Sequence, residues 1–224
     1  MNRFINTILL FLFFPTMAIA VYVGFDLPVE FFKTTGAQLR YIPEVFLLLA
    51  VFMLVLLVRR SLKRWMGMRI VLQQDRFKWN RPISSERRRR VYVYTILENC
   101  IILCAAAGLY ALTPLVVPVS IVLMLSSIDA FIFLLLATRL NGFRVGISSK
   151  AIIASDREVN LVYFTGLRKV SVFQQSIFFD YIKGLQLNFP SNCVEENNQE
   201  EFFSVLKEQL DHDHVLVQLQ PAST

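Results

Sequence analysis

Two carboxylates within apolar runs are the side chains of this chain best placed to do chemistry. Glu98 precedes Thr113 by fifteen residues, and Asp129 follows it by sixteen. If the two runs form an antiparallel helical hairpin that turns at Thr113, both carboxylates lie at nearly the same depth, because each helical residue rises ~1.5 Å. An ionisable residue inside a bilayer costs on the order of 3 kcal/mol, so such a residue is a functional candidate.

Further polar residues extend this pair into a cluster. Spacings of three and four residues place Thr95 and Asn99 beside Glu98, and Ser126 on the same helical face as Asp129. Polar faces in lipid usually meet one another, so we expect the five side chains to form one intramembrane polar cluster.

The chemistry of the cluster has two interpretations. Two neighbouring carboxylates cannot both stay ionised without a bound cation, a shared proton or an arginine partner. A cation or a shared proton would make the cluster an ion or proton pathway. The structural interpretation, which the sequence favours, is pairing with Arg139 or with the run Arg87–Arg90, because shallow carboxylates can reach the edge of the membrane.

Four apolar runs must position this cluster. They cover residues 4–25, 42–58, 91–112 and 115–137, in a chain of 224 residues that is 55% apolar and 18% charged. Each run is about as long as the ~17 to 25 helical residues that cross a bilayer, which argues against an ordinary soluble domain. The first run also fits a signal peptide cleaved after Ala18-Ile19-Ala20. Because apolar residues continue to Phe25, we expect it to be retained as a span.

The charges predict how the spans are oriented. The segment between the second and third runs, residues 59–90, carries twelve basic residues against two acidic ones. Short loops rich in lysine and arginine stay on the cytoplasmic side of a membrane. This places residues 59–90 and the C-terminal region in the cytoplasm.

The same loop holds a candidate contact surface. Four consecutive arginines share the loop with two tryptophans, and together they could bind anionic lipid or a protein partner: Arg87, Arg88, Arg89, Arg90, Trp65 and Trp79. The alternative is that these arginines only orient the spans. Nucleic-acid binding is not expected, because the cluster adjoins the membrane and has no recognisable nucleic-acid-binding fold around it.

Residues 139–224 differ from the preceding part, with eight basic residues against ten acidic ones. We therefore expect two domains, a four-span membrane domain over 1–138 and a soluble domain over 139–224. β-Branched and aromatic segments predict strands at 143–147, 151–154, 160–164, 169–174, 177–181 and 185–189. A helical period follows at 199–210, and alternation at 214–219 predicts one further strand.

The soluble region resembles a known family. The segments "GLRKVSV", "FFDYIKGLQLNF" and "NQEEFFSVLKEQL", which follow directly on a membrane hairpin, are similar to those of bacterial pleckstrin-homology-like membrane proteins. The resemblance implies a small antiparallel β-barrel closed by a C-terminal helix, acting as a scaffold or regulatory module without catalytic residues. It also implies the bacterial inner membrane as the location, with a cytoplasmic C-terminus.

Motifs of enzymes and metal sites are missing from the sequence. It has no Gly-rich phosphate loop, nucleophile elbow or HExxH motif, so neither an enzyme nor a cofactor is expected. The tail Asp211–His214 holds two imidazoles without a further ligand nearby in sequence, and no metal site is expected there.

Two functions remain open. The first is a membrane anchor whose soluble domain binds a protein partner or another copy of the chain, with anionic lipids around it. The alternative is a small oligomeric channel or transporter-like component that uses Glu98 and Asp129.

Overall fold

A computed structural model describes residues 2–29, 34–157, 159–173, 176–182, 184–210 and 215–218. The helices are α1 (Asn2–Gly24), α2 (Ile42–Leu72), α3 (Ser85–Leu112), α4 (Val117–Arg139) and α5 (Gln199–Gln209). The strands are β1 (Pro28–Val29), β2 (Thr34–Thr35), β3 (Trp79–Pro82), β4 (Arg144–Ile147), β5 (Ala151–Ser155), β6 (Val159–Tyr163), β7 (Leu167–Phe173), β8 (Ser176–Tyr181), β9 (Gln186–Pro190) and β10 (Leu216–Gln218).

The four apolar runs form helices that are long and apolar enough to cross a membrane, as predicted. Two of these helices continue well beyond their apolar runs. α2 has 31 residues and α3 has 28, so much of the basic segment 59–90 is helical rather than an irregular loop. Arginine, lysine, leucine and methionine are good helix formers, and no proline interrupts residues 44–72. These four candidate spans are compatible with a multi-pass membrane protein.

One compact unit comprises residues 1–63 and 94–134. Its core is formed by buried side chains from all four membrane helices, among them Ala20, Phe46, Met53, Leu109 and Val119. Many large apolar side chains point outward from the same helices, as is usual for helices whose outer surface faces lipid. The helices therefore bury some large side chains, such as Phe46 and Met53, between them and present many others outward.

The second compact unit comprises residues 64–93 and 135–224. It contains two four-stranded sheets, ordered β3-β4-β5-β6 and β10-β7-β8-β9. The six strands predicted between residues 143 and 189 are present, as are the C-terminal helix and the additional strand near the C-terminus. β3 was not predicted: the segment Trp79–Pro82 has no strand period of its own, and it pairs with β4 over four residues.

A closed barrel, which the sequence led us to expect, is not formed by the described strands. The connection from β6 to β7 is a tight turn in which Gly166 has a φ of 78°. β10 occupies the edge of β7 that faces away from β8. The two strands are parallel, and Leu216 lies beside Lys169. The C-terminal strand thus occupies the edge at which β6 would have to pair with β7.

Aromatic packing forms the core of this second unit. Trp79 of β3 meets the ring of Phe202 of α5 edge to face, with centroids 5.2 Å apart, and Phe189 of β9 stacks on the same ring at 6.1 Å. Such aromatic pairs stabilise beyond the area that they bury. The helix α5 therefore joins strands of both sheets in one core.

The end of α2 packs against the first sheet of the same unit. A Cβ built on Gly67 would lie 1.9 Å from Cγ2 of Val159 on β6, so the helix backbone lies directly against that strand. One helical turn after Gly67, the carbonyl oxygen of Val71 accepts a hydrogen bond of 2.8 Å from the side-chain amide nitrogen of Asn80. The final turns of α2 are consequently part of this fold.

Candidate functional site

Within the predicted polar cluster, the structure shows a local hydrogen bond on α3 and an ion pair of Glu98. On α3, Thr95 and Asn99 are buried, and the Asn99 side chain donates a 2.8 Å hydrogen bond to the carbonyl oxygen of Thr95. This bond satisfies the amide within its own helix. Ser126 and Asp129 are half-buried on α4.

Glu98 pairs with an arginine, as the structural interpretation expects, but with one that the sequence reasoning did not name. A guanidinium nitrogen of Arg60 lies 3.0 Å from Oε1 of Glu98, and both side chains are partly buried. Arg60 is on α2, two residues past the apolar run, whereas Arg139 and the run Arg87–Arg90 were the expected partners. The sequence reasoning did not find this pair because Arg60 and Glu98 are 38 residues apart along the chain.

Two further serines of α4 are buried polar residues that the sequence reasoning missed. The hydroxyl of Ser120 donates to the carbonyl oxygen of Ala106 on α3 at 3.1 Å. Ser127 is 1% exposed, and its hydroxyl makes no hydrogen bond with the described residues. Serines within an apolar helix are the sequence signal that would have indicated Ser120 and Ser127, because short polar side chains are common where membrane helices pack together.

The run of four arginines is not a uniform surface. Within the second unit, two nitrogens of Arg87 donate hydrogen bonds of 3.1 and 2.8 Å to Oδ2 of Asp156. The Asp156 side chain is only 3% exposed. Arg90 forms an ion pair with Glu86, four residues earlier on α3. Arg88 and Arg89 are exposed.

A short junction before α3 ties the helix to the end of β9. The Ser84 hydroxyl accepts a hydrogen bond from the Arg87 backbone N–H at 3.2 Å and donates to the carbonyl oxygen of Asn192 at 2.6 Å. The Ser84 backbone N–H donates to the carbonyl oxygen of Cys193 at 3.0 Å. Burial raises the pKa of the Cys193 thiol to about 12, and the nearby Arg87 offsets this only in part. The thiol is therefore neutral and unreactive at ordinary pH.

The two tryptophans of the predicted contact surface have different environments. Trp79 is 4% exposed and lies in the aromatic core, so it cannot take the surface role that the sequence suggested. Trp65 is half-buried on α2. The position of Trp79 in the basic segment led us to place it on the contact surface, but β3 turns the side chain inward toward α5.

An apolar corner is one of the exposed hydrophobic surfaces of the second unit. We use this name for Tyr163, Ile182 and Leu185, which are 55%, 72% and 55% exposed. Three hydrogen bonds bring their turns together: the Tyr181 hydroxyl donates to the Tyr163 carbonyl oxygen at 2.6 Å, and two backbone bonds join Ile182 to Gly166 and Tyr181 to Leu185. Partial burial raises the pKa of Tyr181, which keeps its hydroxyl protonated as a donor.

Metal ligands do not cluster in the part of the chain that the structure describes, where no group of three histidine, cysteine, aspartate or glutamate side chains could hold an ion. The pair His212 and His214 lies outside the described residues. Comparisons of the chain with protein-family models, curated proteins and solved structures found no match.

Proposed function

We propose that this protein is a multi-pass anchor of the bacterial inner membrane, with a cytoplasmic pleckstrin-homology-like unit that binds a protein partner or a second copy of the chain. The apolar corner carries this proposal. Contiguous exposed apolar surface on a folded unit usually marks an interaction site. Tyrosine and large aliphatic side chains are suited to filling a partner's pocket at such a site.

Three further observations support the proposal. The two sheets, packed on a C-terminal helix, are compatible with a pleckstrin-homology-like unit in an open form. The excess of arginine and lysine in residues 59–90 supports a cytoplasmic position for this unit. Retention of α1 as a span is supported by burial on both sides of the possible cleavage site: Ala20, directly before it, and Val23, beyond it, both lie in the core of the first unit.

Co-purification tests the proposal with charged residues placed at the apolar corner. The double variant Ile182→Asp/Leu185→Asp puts two carboxylates where the partner would bury apolar side chains. Phe173→Asp is the matched control, because Phe173 is also exposed and apolar at the end of a strand in the same sheet. We expect the corner variant alone to lose the complex.

The alternative function is a small oligomeric channel or transporter-like component. The unpaired hydroxyl of the buried Ser127, in the unit that also holds Glu98 and Asn99, is the observation that favours it. The ion pair with Arg60 argues against it, since a paired carboxylate already has its cation.

Neutral variants at the two carboxylates separate these functions. We expect Glu98→Gln/Asp129→Asn to keep the co-purifying complex of the wild-type protein, because the corner lies in the other unit. Liposomes that contain the wild-type protein should leak protons and monovalent cations no faster than empty liposomes. Flux above this background in the wild type that disappears in the double variant would establish the channel instead.

A further inference from the structure

Arg88 and Arg89 occupy an electrostatically unfavourable place. They are the fourth and fifth residues of α3, near the N-terminal end, where the helix dipole disfavours cations. Their neighbours Arg87 and Arg90 each have a carboxylate partner, Asp156 and Glu86 respectively. Arg88 and Arg89 are exposed and form no ion pair with any residue that the structure describes. Two adjacent guanidiniums are thus exposed without an anionic partner among the residues that the structure describes.

A third arginine lies at the same end of the hairpin. The hydroxyls of Tyr92 on α3 and Thr138 on α4 are 3.0 Å apart, which fixes these helix ends side by side. Arg88 and Arg89 are one helical turn before Tyr92, and Arg139 directly follows Thr138 and is exposed. Three cationic side chains therefore gather where the apolar runs of α3 and α4 meet the polar part of the chain.

Exposed apolar side chains adjoin this arginine cluster. Val93 on α3 and Leu135 on α4 are both more than half exposed, within one or two turns of the arginines. A ligand that fits both surfaces has an anionic head and an apolar tail. Guanidinium groups bind phosphate with paired hydrogen bonds, which makes a phosphate head chemically suitable.

We propose that Arg88, Arg89 and Arg139 bind the phosphate of an anionic phospholipid in the leaflet next to residues 59–90. The lipid phosphate supplies an anionic partner for Arg88 and Arg89 near the N-terminus of α3, and the acyl chains cover the apolar side chains beside it. Each arginine near an anionic leaflet adds to the attraction. The inference rests on the proposed membrane orientation and is independent of the apolar corner.

Titration of the full-length protein in a neutral detergent with dioleoylphosphatidylglycerol tests the proposal, with thermal unfolding as the readout. Because a ligand that binds the folded state raises the unfolding temperature, the titration gives an apparent affinity. We expect Arg88→Gln/Arg89→Gln to bind at least tenfold more weakly than the wild type. Without lipid, this variant should be at least as stable as the wild type, because two cations leave a helix N-terminus.

Three comparisons make the test specific. Arg76→Gln/Lys78→Gln removes the same charge from exposed positions of the same segment and should keep the wild-type affinity. Dioleoylphosphatidylcholine and inorganic phosphate should each fail to replace the anionic lipid. The corner variant Ile182→Asp/Leu185→Asp should bind the lipid normally, so failure of the proposed function would not affect this result. Equal loss in both charge variants, equal stabilisation by phosphate alone, or no effect of the lipid on the wild type would overturn the proposal.

Discussion

Replacing Asp156 with asparagine is expected to lower the free energy of unfolding by about 3 kcal/mol, the loss that follows when one partner of a buried ion pair is removed. The carboxylate is almost fully buried and accepts two hydrogen bonds from Arg87. Asparagine keeps the size of the side chain but removes its charge, so Arg87 stays partly buried without its counterion. Denaturant unfolding in mixed micelles, followed by tryptophan fluorescence, measures this loss. Both tryptophans, Trp65 and Trp79, belong to the second unit and report on it.

An exposed ion pair of the same unit provides the control. Arg81 and Glu201 lie 3.5 Å apart, and each side chain is about half exposed. Exposed pairs of this kind contribute less than about 1 kcal/mol, so Glu201→Gln should be close to the wild type. If Asp156→Asn were no more destabilising than Glu201→Gln, the buried pair would not stabilise the junction of α3 with the sheets.

Replacing Gly67 with alanine is expected to destabilise the protein by about 2 kcal/mol, because the added methyl group overpacks the contact between α2 and β6. Alanine normally stabilises a helix relative to glycine by up to about 1 kcal/mol, so the expected change in stability has the opposite sign here. The new Cβ would lie 1.9 Å from Cγ2 and 2.9 Å from Cβ of Val159. Valine is stiff at χ1 and cannot move out of the way. Thermal unfolding followed by circular dichroism measures the change.

Two further variants connect this result to the contact itself. Gly108 is also a helical glycine, but a Cβ there would meet nothing within 4 Å, so Gly108→Ala should be neutral or slightly stabilising. Adding Val159→Ala to Gly67→Ala should restore part of the lost stability, because it removes the atoms that clash. A destabilised Gly108→Ala variant, or a double variant no better than Gly67→Ala, would refute the packing of α2 on the sheet.

Local sequence patterns predicted most of the secondary structure, because those patterns are set by neighbours along the chain. Apolar runs of span length and the alternation of strands such as β5 and β8 each identified an element. β3 could not be found in this way, since its strand conformation depends on pairing with β4, which lies more than sixty residues later. The open arrangement of the sheets was missed for the same reason: the parallel pairing of β10 with β7 is a long-range contact.

The candidate sites show the same division between local and distant information. Spacing along α3 correctly grouped Thr95 with Asn99, which share a hydrogen bond. The partners of the charged groups came from elsewhere in the chain, Arg60 for Glu98 and Asp156 for Arg87. The apolar corner has no sequence motif at all, because two turns that hydrogen bonds hold together create it.

The docking role of the apolar corner is tested most directly by affinity purification from native membranes in mild detergent, followed by size analysis and identification of the bound proteins. The account predicts that the wild-type chain and Phe173→Asp elute in the same complex, with a partner protein or a second copy. Ile182→Asp/Leu185→Asp should be folded and elute alone. A wild-type chain that elutes as a free monomer, or a corner variant that keeps the wild-type complex, would contradict the account.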